Sequence, residues 1–429
     1  MFSKQQNSFL PKDDTEIDTI IITYKTFDME TMTKPKSPAK EKNLIQLASE
    51  LGTVLGQHIT DEEKNGRLSS AVVGTLKEAG FYKLFLPKSL GGLEADPVTV
   101  AKVVEEVAKH NTAAGWSLMV ANTTLIMASR IPEKGIEEIF VADPDTFAIG
   151  TVHPPMRATP VKGGYLINGR NPLVSNVHEA QWIMVLALIM EGDQPKMSNG
   201  HPEIAGVYMK ARDCSIIDTW NVLGMRATDS NDIEAKDVFV PDHFSFPLIP
   251  DFVPGKHFKG PLYRFPAAGA NICCLLAPVA LAVARNAINE FKELAQKKTP
   301  LGSMVTLRER GVMQRKLGRA EALVQSARIY LHNKLAECWT RTLAGEIISL
   351  EEKADLLLAA THVNQSCVET VELVYTAAGT SGIYLKNKLA HYFTDAEVLR
   401  LHGFMNESRY ETAAQVHFGL PPDLPLVTF

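Results

Sequence analysis

The 429-residue chain carries 45% hydrophobic and 22% charged residues, which excludes wholesale disorder and supplies enough apolar side chain for a large core divided over two or three domains. A formal net charge of -5 gives no basic footprint for nucleic acid or for an anionic membrane, so small molecules are the expected partners. The five cysteines, Cys214, Cys273, Cys274, Cys338 and Cys367, are odd in number and stand in no metal-binding or CxxC spacing, which points to reduced core thiols rather than a disulfide framework.

Residues 1–42 mix Lys, Asp, Thr and Pro without period and read as a disordered tail, with Met29 and Met32 as alternative starts inside it. The N-terminus lacks a basic segment followed by a hydrophobic one, and no apolar run approaches the roughly 20 residues of a membrane span, so a cytoplasmic protein is expected. From Leu44 the apolar residues Leu44, Leu47, Ala48, Leu51 and Leu55 fall on one helical face, and Val100, Val103, Val104 and Val107 repeat the pattern. With a further apolar stretch from Trp116 to Met127, residues 43–145 make a helical first domain.

The pattern changes at 146–255, which reads as a small β domain. Val161 to Ile167 gives two extended runs joined by Gly163-Gly164, the sign of a hairpin, and Trp182 to Ile189, Gly206 to Lys210 and Ile233 to Val240 supply more short strands. Residues 256–429 return to helical spacing, with Met313, Leu317, Ala320, Val324, Ala327 and Leu331 forming a bundle seam. Four helices are expected, at about 267–297, 303–343, 350–378 and 396–415. Ser349 with Glu352 forms a capping box, Gly379 is placed to end its helix with a left-handed residue, and Pro278 should kink the first helix of the bundle.

Short motifs are silent: there is no Walker A loop, no GxGxxG after a strand, no HExxH and no GxSxG. The order of helical domain, small β domain and four long helices carries more, together with five segments: Gly80 to Leu93 (GFYKLFLPKSLGGL), Asn168 to Asn176 (NGRNPLVSN), Trp220 to Ser230 (WNVLGMRATDS), Ala378 to Gly382 (AGTSG) and Asp395 to Gly403. From Leu44 onward, over nearly nine-tenths of the chain, these resemble the acyl-CoA dehydrogenase superfamily. The resemblance implies an α+β, mostly α fold, with an N-terminal helical domain, a middle β-barrel or sandwich and a C-terminal four-helix bundle. It also implies a bound flavin and a homo-oligomer, a tetramer.

Where dehydrogenases of that superfamily carry a catalytic glutamate, the run Thr394 to Phe404 places His402 and Gly403. This resembles the hydroxylase branch, in which reduced flavin (FAD or FMN) arrives from a separate NAD(P)H-dependent reductase, binds O2 and transfers oxygen from a C4a-hydroperoxide to a small aromatic or heteroaromatic substrate. A histidine near its reference pKa of about 6.5 could accept a proton from a phenol or indole-like nucleophile, or hydrogen-bond a peroxide. The resemblance assigns His402 and Ser175 to catalysis, with Ser175 beside the flavin N5. It assigns Thr151, Ser175, Arg226, Gly379 and Ser381 to cofactor binding, and Trp116 and Asn122 to the substrate; no metal is expected. Two other readings stay open: a flavin dehydrogenase or oxidase using Glu407 or Glu411 as base, and a helical assembly protein without catalysis.

Overall fold

Residues 39–429, apart from positions 199 and 251, are described by the computed structural model. The expected tail lies outside the described residues, except that helix α1 (Ala39–Glu50) already begins within its last positions. The unit Lys40–Phe429 is described below by itself.

Its first part contains α1, α2 (Gly52–Gly56), α3 (Ile59–Asn65), α4 (Ser70–Glu78), α5 (Pro97–His110), α6 (Thr112–Ala128) and α7 (Glu133–Ile136). α5 starts where the Asp96 carboxylate accepts from the Val98 and Thr99 amides, both at 3.0 Å, with Pro97 at the first helical position, where a missing N–H costs nothing. Asn111 closes α5 and caps α6 by accepting from the Ala114 amide. α6 is apolar on every side and buried along almost its whole length, and it packs on the sheet with Trp116 in its second turn.

The middle part is one eight-stranded sheet and a two-stranded ribbon. Strands β1 (Ala148–Val161), β2 (Gly164–Val174), β3 (Trp182–Glu191) and β4 (Gln194–Pro195) are followed by β5 (Met197–Ser198), β6 (His201–Pro202), β7 (Ile204–Lys210), β8 (Ser215–Ile217), β9 (Asn231–Pro241) and β10 (Ser245–Pro247). The main path runs β10-β7-β3-β1-β2-β9-β8, with β4 on β3 and the ribbon formed by β5 and β6. The expected hairpin joins β1 and β2, antiparallel with Val161 opposite Gly164, and Gly163 supplies the positive φ of its turn. β1 and β3 are parallel, and a register shift between Thr151 and Met156 bends β1.

The last part holds α8 (Ala267–Gly269), a π-helical stretch (Ala270–Leu276) and α9 (Ala277–Lys297) in one continuous helix, then α10 (Gly311–Leu343), α11 (Leu350–Ala378), α12 (Lys388–Arg400) and α13 (Arg409–His417). Pro278 leaves the carbonyl one turn earlier without its helical donor, and the widened π turns immediately precede it. The helix Ala267–Lys297 is long and apolar enough for a membrane span, contrary to expectation, but 83% of its most apolar window is buried within the protein, as in a core helix. α10 begins later than the expected residue 303, because Thr306 and Glu309 close a capping box around a separate short turn. α11 has the expected limits, with Ser349 and Glu352 capping each other; Gly379 ends it at φ 57 and ψ -143, a positive φ outside the αL well. The helix expected at 396–415 is two helices, and the break between them carries His402.

Candidate active site

Register brings the first two site residues together. β2 ends at Val174 and β9 begins at Asn231, and these two residues are paired, so Ser175 and Ser230 leave the ladder side by side. Their Oγ atoms are 2.7 Å apart, and Ser230 Oγ is also 2.7 Å from Thr228 Oγ1. Four non-glycine residues around the serines have positive φ: Leu173 at 61, Asn176 at 56, Met225 at 55 and Asp229 at 51. Each such conformation costs on the order of 1 kcal/mol or more and persists only when the surroundings enforce it. Here they do. Asp229 accepts from His178 N at 2.9 Å, His178 Nδ1 at 2.7 Å and Asn231 Nδ2 at 2.8 Å, and the Asn176 amide donates to the Thr228 carbonyl at 2.9 Å.

Trp116 joins this sheet edge to the helical parts. Its indole Nε1–H donates to Ser175 Oγ at 3.0 Å, and its ring meets the His402 imidazole edge to face, centroids 5.5 Å apart. The Phe404 ring also lies against the imidazole, tilted, with centroids 5.6 Å apart. Trp116, Ser175 and His402, predicted from three separate segments, therefore form one cluster.

The imidazole differs from expectation in its chemistry. Packing around the half-buried ring pushes its pKa from the ordinary histidine range down to about 4, so His402 is neutral at pH 7. The Phe404 amide donates to Nδ1 at 3.4 Å, which places the proton of the neutral ring on Nε2. In this arrangement His402 offers a hydrogen-bond donor, the second of the two roles expected of it, rather than a base poised near neutrality.

Two buried residues that the sequence reading passed over hold these pieces. The Asp395 carboxylate on α12 accepts from the Met225 amide at 2.6 Å and so ties the Ser230 loop to the helix that ends before His402; burial raises its pKa to about 6. Gly224 is needed there, since a Cβ would lie 2.2 Å from the Thr394 carbonyl oxygen. Asn364 on α11 donates to the Leu399 and Met405 carbonyls, both at 3.0 Å, spanning the His402 turn.

Family models described as the N-terminal and C-terminal domains of acyl-CoA dehydrogenase match residues 46–139 and 274–407. The chain belongs to the acyl-CoA dehydrogenase family. Within this family it is similar to indole-3-acetate monooxygenase of Pseudomonas putida, with 28% identity over 84% of this chain and 90% of the relative. It is also similar to the flavin-dependent monooxygenase oxygenase subunit HsaA of Mycobacterium tuberculosis, with 25% identity over 83% of this chain and 90% of that protein. Among solved structures, XiaF from Streptomyces sp. in complex with FADH2 and glycerol superposes with a TM-score of 0.82 at 22% identity, covering 90% of this chain and 97% of that one, which shows the acyl-CoA dehydrogenase fold.

The remaining expected site residues divide. Thr151 lies on β1, opposite Val185 and at the start of the register shift. Arg226 is exposed on the loop leading to Ser230 and forms no ion pair among the described residues. Gly379 and Ser381 do not join the cluster: they precede α12, whose 13 residues put about 20 Å of helix between them and His402. Asn122 is a correction. It is fully buried, accepting from the Phe85 amide at 3.1 Å and donating to the Phe81 and Leu118 carbonyls at 3.0 and 2.9 Å, so its amide is committed to backbone and has no donor left for a substrate. A cavity of about 310 Å³ opens against His178, Trp220, Asp229 and Asn231, but none of Trp116, Ser175 and His402 lines it.

The residues fit a flavin. Asn176 Nδ2, one residue after Ser175, and Asn171 Oδ1, on β2 just before it, are buried and unpaired, a donor and an acceptor of the kind a flavin ring edge satisfies. Leu173 is 62% exposed despite its strained backbone, an apolar surface beside the serines suited to a flat ring.

Proposed function

We propose that this chain is the oxygenase component of a flavin-dependent monooxygenase that hydroxylates a small aromatic or heteroaromatic compound, with reduced flavin supplied by a separate reductase. The observation that carries this reading is the Trp116–Ser175–His402 cluster, in which a neutral imidazole flanked by two aromatic rings stands where a dehydrogenase needs a carboxylate. Glu407 and Glu411, the alternative bases, are exposed, which speaks against the dehydrogenase reading. The relatives named above as monooxygenases support the same reaction class.

Ser175, Asn176 and Leu173 would hold the flavin ring, with Thr151 and Arg226 as further contacts. Activation of O2 and the oxygen donor, at the flavin C4a position, would be supplied by reduced flavin held there. The chain's own residues do the rest. Trp116 and Phe404 offer aromatic edges and faces for a planar substrate, and the His402 N–H holds an oxygen atom of substrate or oxidant in place. The packing that depresses the His402 pKa would also limit water at the reacting atoms, water that otherwise diverts the reaction to hydrogen peroxide. We also propose a homotetramer, supported by exposed apolar residues Leu301, Met304, Ile383 and Leu385 near the end of α11.

Anaerobic titration with reduced FMN and reduced FAD, followed by mixing with O2 and phenolic or indolic compounds, tests the proposal. Binding of reduced flavin and a hydroxylated product are expected. Failure to bind either flavin in either redox state would overturn it, and reduction of bound flavin by an organic substrate alone would favour the dehydrogenase reading.

A further inference from the structure

The hydroxyls of Ser175, Ser230 and Thr228 form a chain whose ends have fixed roles. At one end Trp116 Nε1–H, which can only donate, gives its proton to Ser175 Oγ at 3.0 Å. At the other end the Met225 carbonyl, which can only accept, takes the Thr228 hydroxyl proton at 2.9 Å.

The protons between these ends can then be assigned one by one. Thr228 has spent its single proton on Met225, so the 2.7 Å contact with Ser230 requires Ser230 to donate. Ser230 has then spent its proton, so the 2.7 Å contact with Ser175 requires Ser175 to donate. The opposite order would leave Thr228 Oγ1 and the Met225 oxygen 2.9 Å apart with no proton between them. All three hydroxyl residues are buried, at 5%, 4% and 1% exposure for Ser175, Ser230 and Thr228, so bulk water does not reset the order. Ser175 keeps a lone pair but no free proton for anything that enters the site.

We propose that Ser230 and Thr228 are positioning residues that lock Ser175 as a hydrogen-bond acceptor, and that the site thereby discriminates between the redox states of a flavin placed against it. The inference rests on the reading above, that a flavin N5 edge meets Ser175. Oxidised N5 is a bare acceptor and would face the Ser175 lone pair; reduced N5 carries a hydrogen and would donate to it. A serine free to rotate would serve both states. The strained residues Leu173, Asn176, Met225 and Asp229 fix the backbone on both sides of the chain of hydroxyls, and its proton order is held by the donor and acceptor at its two ends.

The test compares the wild-type protein with Ser230→Ala and Thr228→Val, measuring dissociation constants for oxidised and reduced FMN and FAD anaerobically, and the midpoint potential of the bound flavin. Ser230→Ala releases the Ser175 proton toward the ligand, and Thr228→Val lets Ser230 turn its own proton back toward Ser175. The wild type is expected to bind reduced flavin at least tenfold tighter than oxidised. Each variant should shrink that ratio about tenfold, which lowers the bound potential by about 30 mV for a two-electron couple. In a Ser175→Ala background Ser230→Ala should change the ratio no further, whereas a residue that merely supports the loop would still change it. Equal wild-type affinity for both redox states, or ratios unchanged within twofold in both variants, would overturn the inference. Absence of any flavin binding by the wild type would instead strike at the functional reading itself.

Discussion

Asn364 and His402 are joined through the backbone: the Asn364 amide donates to the carbonyls of Leu399 and Met405, three residues before and three after the imidazole. Leu399 O also accepts from the His402 amide at 3.1 Å and Met405 O from Gln365 Nε2 at 3.4 Å, so Asn364 adds a further buried donor to each carbonyl and ties the two sides of the turn together. Asn364→Leu should therefore lower stability by about 1–3 kcal/mol through the loss of two buried hydrogen bonds. It should also loosen His402, so that denaturant melts show the stability loss and product assays show less hydroxylated product per reduced flavin consumed. In a His402→Ala background the stability loss should persist while the coupling loss disappears.

His402 can be asked directly whether it acts as donor or as base. His402→Ala removes both capacities, and a loss of about 10²–10⁴ in hydroxylation rate is expected for a group of this kind. His402→Asn keeps a side-chain N–H. If the donor role indicated by the Phe404 amide on Nδ1 is the operative one, the asparagine variant should recover a substantial part of the alanine variant's loss in single-turnover rates. Equal rates for the two variants would assign His402 to proton abstraction instead.

Much of this was legible in the sequence because it was written in periodicity and turn chemistry. The β1–β2 hairpin and the Ser349-to-Gly379 limits of α11 follow from local residues, and the structure keeps them, although the turn expected at Gly163-Gly164 falls one residue earlier, at Lys162-Gly163. Convergence of Trp116, Ser175 and His402 was legible only through resemblance, since they lie on three separate parts of the chain. What stayed hidden has physical causes. The break at 401–408 contains Gly403 and is held across its two sides by Asn364, a long-range contact, although an amide on the buried face of α11 is a mark that could have been read. Asn122 misled for a related reason: the same residue type in a buried helix serves backbone amides and carbonyls as readily as ligands. The Thr228-Ser230 hydroxyls needed the β2–β9 register before they could be placed beside Ser175.

Asn122 yields a prediction of the opposite kind. Its substitution by Leu leaves the buried Phe85 amide without its acceptor and removes two further hydrogen bonds to backbone carbonyls, and should cost about 1–3 kcal/mol or more in unfolding free energy. Flavin affinity of the folded protein should stay within twofold of wild type, because the side chain is turned into backbone contacts. A large change in flavin or substrate binding at unchanged stability would return Asn122 to the site.

Asp395 and His402 should pull the acid dependence of stability in opposite directions. The Asp395 carboxyl is raised by burial from about 3.8 to about 6, so the stability it contributes is fully present below pH 3.8 and is lost as pH rises through 6. His402 is lowered by burial from 6.5 to about 4, so its contribution is present above pH 6.5 and is lost as pH falls through 4. Between these limits acidification strengthens one and weakens the other, and the wild-type melting temperature should change little on their account. Asp395→Asn keeps an oxygen acceptor for the Met225 amide but removes the titration. Its melting temperature should fall more steeply than that of the wild type between pH 6.5 and pH 4, while His402→Asn should show the shallower or reversed slope. Parallel profiles for all three proteins would mean that neither group titrates in its buried setting as the packing around it requires.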